Sequence, residues 1–149
     1  MILSKKIELF VSLGKFFKDF LENSADKNFT KRLSNAIQEA KNHNNYFTEE
    51  NITNCLQNWS YCLKKEKIKS FLSSYIIEKK TPKSVAIIMA GNVPMVGFHD
   101  FLCVILSGNK AIIKLSSKDS HLMYFVLNYL CSICIEFEDY YKICQEKLS

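Results

Sequence analysis

Two apolar runs of strand length, SVAIIMA (84–90) and KAIIKLS (110–116), stand either side of a single helical stretch. That spacing constrains the fold more than any other feature of the chain. Strands separated by a helix cannot close a tight hairpin, so they lie side by side in parallel with the helix as the crossover. MVGFHDFLCVILSG (95–108) supplies the helix, with Met95, Phe98, Leu102, Ile105 and Leu106 on one face before Gly108-Asn109 stop it. SSKDS (116–120) then reads as a polar loop, 121–137 as another helix, and a third short strand is expected near Tyr141–Cys144. Residues 83–137 therefore read β-α-β-α, an α/β arrangement around a parallel sheet with right-handed crossovers. Because SVAIIMA shows no polar alternation, its strand is expected to be covered on both faces.

Residues 1–80 have a different texture. Ile7, Phe10, Val11, Leu13, Phe16, Phe17, Phe20 and Leu21 recur at helical spacing and form one apolar stripe. Asp26 or Asn28 is placed to cap a second helix carrying Phe29, Leu33, Ala36, Ile37 and Ala40, which ends in the Asn-rich KNHNN (41–45). Thr48 followed by Glu49 and Glu50 marks a third start, with a face through Ile52, Cys55, Leu56, Trp59, Cys62 and Leu63. A fourth helical stretch holds Ile68, Phe71, Leu72 and Tyr75. The switch to strand-length runs comes at Lys79-Lys80-Thr81-Pro82, so a helical N-terminal region is expected over 1–80 and an α/β region from 81 to 149.

Charge and cysteine content exclude several classes. Of the net charge of +5, residues 1–80 hold 14 basic and 9 acidic side chains, and 81–149 hold 6 of each. Arg32 is the only arginine, whereas nucleic-acid readers lean on arginine for bidentate contacts; the excess reads as solvated helix faces and no nucleic-acid partner is expected. MILSKK shows no secretory pattern, so the six cysteines are expected to be reduced and buried, in a cytoplasmic protein. Cys131 and Cys134 form a CxxC with no second CxxC or HxxxH to complete a zinc site, so they are expected in the core and no metal site is expected. The run LMYFVLNYLCSICI (122–135) around them is too short to span a membrane.

Ligands of an open parallel sheet bind beyond the carboxyl ends of its strands. Gly91-Asn92-Val93-Pro94 and Ser116–Ser120 both fall there and are expected to face one crevice. Gly91 lets the backbone approach a ligand, Asn92 offers a neutral amide donor, and Pro94 is expected to begin the next helix with its free N–H groups. Lys114, Ser116 and Ser117 would make a cradle for a ribose or a phosphate. A plain strand-to-helix turn, with Asn92 as a cap and Lys114 solvated, fits the same residues. His99 and Asp100 read as structural groups early in their helix, and His43 and His121 as surface and helix-start residues.

The block VAIIMAGNVPMVGFHDFLCVILSGNKAIIKLSSKDSHL (85–122) resembles the signature of the acyl-CoA reductases related to the bacterial luminescence long-chain fatty-acid reductase, within the aldehyde dehydrogenase superfamily. NYFTEENITNCLQNWS (45–60) resembles the same family's N-terminal segment. The resemblance implies a Rossmann-like nucleotide-binding domain starting at residue 81, and NADPH-linked reduction of a fatty acyl thioester to the aldehyde through a cysteine thioester. It implies Asn92 as the oxyanion donor and Lys114 as the contact to the adenosine ribose, with Gly91 and Ser116 beside them. Ser117 stands where many NAD-preferring relatives carry a glutamate, which implies NADPH. Implied partners are an acyl-CoA or acylated protein donor, an acyl-protein synthetase subunit, and a homo-oligomer or a completing chain. The family's nucleophilic cysteine lies further on than EKLS (146–149). Cys103 is not at its position, so the chain is expected to be a fragment. A non-catalytic or split-subunit nucleotide-binding module is the alternative.

Overall fold

The computed structural model describes residues 1–77 and 80–144. Lys79, in the expected junction between the two regions, and EKLS (146–149) lie outside the described residues. Four helices come first: α1 (Leu3–Leu21), α2 (Lys27–His43), α3 (Glu49–Cys62) and α4 (Lys65–Leu72). Two of them start where side-chain chemistry says they should. The Asp26 carboxylate accepts the N–H groups of Asn28 and Phe29 at 3.0 and 3.1 Å, and Thr48 Oγ1 accepts that of Asn51 at 3.1 Å. Each such cap is worth about 1 kcal/mol.

The remaining elements are β1 (Ser84–Ile88), α5 (Phe98–Leu106), β2 (Lys110–Lys114), α6 (His121–Ile133), a 3₁₀ turn (Ile135–Tyr140) and β3 (Tyr141–Ile143). The strands form a parallel sheet in the order β1-β2-β3, with Val85 level with Ala111, Ile87 with Ile113, and Ala111 with Tyr141. The chain is thus mixed α/β, with a parallel sheet as the spacing of its apolar runs predicts. The second α/β helix is shorter than expected, because the chain tightens into the 3₁₀ turn after Cys134.

Coverage of β1 corrects the expectation for SVAIIMA. Ile87 is buried and Val85 half-buried, but Ala86 and Ile88 on the other face are exposed, Ile88 to 73%. Alternate residues of a strand point to opposite faces. In register with Ala86 and Ile88 stand Ile112 and Lys114, and Lys142 beyond Ile112. Among the described residues the helices cover the face of Ile87, Ala111 and Ile113 and leave this one open.

One hydrophobic core joins the helical region to the sheet. Phe10 of α1, fully buried, meets Phe98, Phe101 and Phe137 edge-on at centroid distances of 6.1, 6.3 and 6.2 Å. Edge-to-face pairs add about 0.5–1.5 kcal/mol each beyond the area they bury. Close to this cluster Lys6 is buried too: its ammonium donates to the Ile105 carbonyl at the end of α5 (3.0 Å) and lies 4.6 Å from the Tyr140 ring centroid. The carbonyl and the ring face supply the negative potential a buried cation needs. Burial still pulls Lys6 below the ordinary lysine range. In α4 only Ile68 is buried; Phe71 is exposed, and Tyr75, expected in the same helical stretch, lies beyond its end at Leu72 and is exposed too.

Candidate functional site at the carboxyl rim of the sheet

Because Ile88 and Lys114 are level, β1 and β2 end together and their following loops, 89–97 and 115–120, meet at one rim. The contact is close. A Cβ on Gly91 would overlap the Ser116 hydroxyl and stand 2.9 Å from Lys118 Cβ, so only glycine lets the two loops approach this far. Asn44, the residue just after α2, ties them together. Its Nδ2 donates to the Gly91 carbonyl at 2.9 Å and to the Lys118 carbonyl at 3.3 Å, and its Oδ1 accepts the Tyr46 N–H at 3.0 Å. The side chain is buried with both of its polar atoms engaged.

Asp119 is the second anchor. Its Oδ2 accepts the Met95 N–H at 2.7 Å, and Met95 stands in the left-handed region at φ 56°. That conformation costs a non-glycine residue about 1–2 kcal/mol. The bond to Asp119 and the nearly complete burial of Met95 offset it. Oδ1 of Asp119 has no hydrogen-bond partner among the described residues. Burial pushes this carboxyl up to about 6, against the downward pull of the Met95 N–H. Beside it the Cys55 thiol donates to the Pro94 carbonyl at 3.2 Å, and burial together with the Asp119 charge pushes it up to about 12.

These anchors correct the expected start of the next helix. α5 begins at Phe98 with Gly97 as its N-cap, and neither Asn92 nor Pro94 caps it. The left-handed turn at Met95, held by Asp119, keeps 94–97 out of the helix.

The candidate residues sit around this junction in three groups. Gly91 and Ser116 are in contact, and Ser116 Oγ also accepts the Lys118 N–H at 3.2 Å. Lys114 ends β2 on the open face beside Ile88, half-buried, and its ammonium has no hydrogen-bond or ion-pair partner among the described residues; Ser117 is exposed. Asn92 is exposed and lines a groove of about 510 Å³ between its loop and α3, shared with Asn51, Asn54, Asn58 and Trp59. Of the candidate residues Asn92 alone lines that groove. The amide and the ammonium thus share a rim, while the groove belongs to the amide.

The cysteines form no disulfide among the described residues, and against the expectation of burial none of them is fully buried. Cys131 and Cys134 are half-buried at the end of α6, where Cys131 Sγ lies 3.4 Å from the Tyr141 hydroxyl. Helical spacing predicts one buried face for the pair, but α6 ends at Ile133 and Cys134 follows it in extended backbone. Cys103 lies in α5 next to an apolar cavity of about 740 Å³ near the amino ends of β1 and β2, with Sγ 3.9 Å from each ring nitrogen of the exposed His99. Burial, and then the Asp100 charge, push the Cys103 thiol up, the reverse of what a nucleophile needs.

Asn44 and Asp119 are the functional-site residues that the sequence pattern does not single out. Asp119 carries a faint signal as the one acid in SSKDS. Asn44 carries none, because its partners lie 47 and 74 residues away.

No helix among the described residues is long and apolar enough to cross a membrane. No curated protein and no solved structure matches the chain. The family model described as acyl-CoA reductase (LuxC) matches residues 11–138, from the first helix through both loops of the rim to the 3₁₀ turn. This chain belongs to the acyl-CoA reductase (LuxC) family.

Proposed function

We propose that the rim of the sheet is the nucleotide and oxyanion side of an NADPH-dependent acyl-CoA reductase site, on the first units of an aldehyde dehydrogenase-like Rossmann domain starting at residue 81. The observation that carries this reading is the contact of the two post-strand loops at Gly91 and Ser116, locked by Asn44. It supplies the fixed crevice edge that nucleotide binding at a parallel sheet requires.

The residues present fit a 2′-phosphorylated nucleotide. Lys114 offers an ammonium with no partner among the described residues, Ser116 and Ser117 offer hydroxyls, and the one acid in the two loops, Asp119, is buried and turned to Met95. With no exposed carboxylate there, nothing in the two loops repels a 2′-phosphate. The bound nucleotide supplies the reducing equivalent. Asn92 would donate its amide N–H to the oxyanion formed when an acyl thioester carbon becomes tetrahedral, a contribution of about 2.7–4 kcal/mol to the barrier. The raised Cys55, Cys103 and Cys131 thiols are poor nucleophiles, so the thioester cysteine is assigned to none of them.

Titration of the purified chain with NADPH and with NADH, followed by nicotinamide fluorescence, tests the reading. NADPH should bind about tenfold or more tightly than NADH, a difference of about 1.4 kcal/mol. Lys114→Ala should remove most of that preference, and Asn92→Ala should leave binding unchanged. Equal affinities, or a Lys114→Ala chain that keeps the preference, would overturn it.

A further inference from the structure

We propose that Glu39, His43 and His121 form a binding site for a divalent transition-metal ion, zinc by their chemistry, joining the end of α2 to the start of α6. One ligand atom of each residue lies within 4.8 Å of the others. Glu39 and His43 are one helical turn apart on α2, and the His43 ring meets the His121 ring of α6 at a centroid distance of 4.6 Å. Two residues from one helix and one from a partner packed against it converge on a single point.

The donor set is what zinc takes. Two imidazoles and one carboxylate give three protein ligands with room for water, and imidazole ranks zinc well above magnesium or calcium. His43 is also oriented by a second interaction. Its Nδ1 lies 2.9 Å from the Glu39 carbonyl oxygen, which can only accept, so in that bond Nδ1 donates and Nε2 is left for the ion; the Glu39 carboxylate, 3.9 Å from Nδ1, would swing toward Nε2 on binding. Tetrahedral ligation with bonds of about 2.0–2.1 Å places ligand atoms roughly 3.3 Å apart. Rotating the exposed Glu39 carboxylate and the half-exposed His121 ring closes the remaining gap without disturbing the core, while His43 keeps its carbonyl bond. One carboxylate against a dication leaves a net positive charge that water and solvent screen readily at an exposed site.

The position gives the ion a structural consequence. His43 immediately precedes Asn44, and His121 follows Asp119 by two residues, so a bound ion would hold together the two segments that carry the loop anchors. The site stands whether or not the rim binds a nucleotide.

The test is calorimetric titration of the chelator-stripped chain with Zn²⁺ alone, with Co²⁺ as a spectroscopic stand-in through its visible bands. One ion per chain is expected. His43→Gln or His121→Gln should weaken binding by about 100-fold and Glu39→Gln by about tenfold, since losing a direct ligand costs at least as much as losing its outer support. A Cys131→Ser/Cys134→Ser chain should bind as the parent does. An independent reading needs no variant: imidazole nitrogen resonances of the ¹⁵N-labelled parent should shift for two of its three histidines, with His99 unmoved. No binding of Zn²⁺, binding that survives His121→Gln, loss of binding in the cysteine variant, or a shift confined to His99 would each overturn the proposal.

Discussion

Replacing Asn44 tests whether the two loops at the rim are held by one side chain. In Asn44→Ala the Gly91 and Lys118 carbonyls lose their shared donor, and the Tyr46 N–H loses its acceptor. Each net hydrogen bond is worth about 0.5–1.5 kcal/mol and the site is buried, so about 2–3 kcal/mol of stability should go, the 3.3 Å bond contributing least. Asn44→Asp has nearly the same shape and separates packing from polarity. It keeps an acceptor for Tyr46 but turns a carboxylate oxygen toward two carbonyl oxygens, adding roughly 1–3 kcal/mol of unsatisfied buried charge. The order of stability should therefore be parent, then Asn44→Ala, then Asn44→Asp. Urea unfolding followed by far-UV circular dichroism reads it: with a slope of about 2 kcal/mol per molar, the alanine midpoint should fall by roughly 1–1.5 M. If both variants unfold within 0.3 M of the parent, or the aspartate is the more stable of the two, Asn44 does not clamp the loops.

Two further outcomes follow from the packing and the buried thiol. Gly14 sits mid-helix in α1 where alanine would gain about 1 kcal/mol of helix propensity, but its Cβ would stand 2.6 Å from Leu63 Cβ, a fully buried neighbour. Overpacking costs about 1–3 kcal/mol, so Gly14→Ala should lower the thermal midpoint; a raised midpoint would mean that α1 and α3 separate freely. At pH 8 a thiol pushed up to about 12 carries about a thousandfold less thiolate than one at the usual value. Iodoacetamide mapped by peptide mass should therefore label exposed Cys62 well before Cys55, and equal rates would contradict the buried environment of Cys55.

Much of the architecture is legible from local pattern. Asp26 and Thr48 announce their helices because a cap and its helix are adjacent in the chain. The parallel sheet follows from two apolar runs with a helix between them. What escapes is whatever depends on distant residues. SVAIIMA reports that its residues are apolar, but not that helices cover only the Ile87 face. Met95 has none of the residue types that advertise a left-handed turn, and its φ is set by Asp119, 24 residues on. Lys6 falls on a stripe where a lysine would be expected to point outward; the carbonyl and ring that receive it belong to α5 and the 3₁₀ turn. At the rim, the β-α-β order is enough to bring the Gly91 and Ser116 loops to one edge, while the division between the Asn92 groove and the Lys114 face depends on α3, which lines that groove.

The open face of the sheet bears on how the molecule behaves in concentrated solution. Among the described residues β1 lies at an edge, where its unpaired backbone groups can template strand addition, and Ala86, Ile88 and Ile112 add an apolar patch on the adjoining open face. Lys110, Lys114 and Lys142 interrupt the same face as gatekeepers, because stacking two such faces would crowd six ammonium groups together. That repulsion is electrostatic and shrinks to a range of about 8 Å at physiological ionic strength. Colloidal stability of this surface is therefore held by charge, and added salt erodes it while leaving the apolar attraction in place.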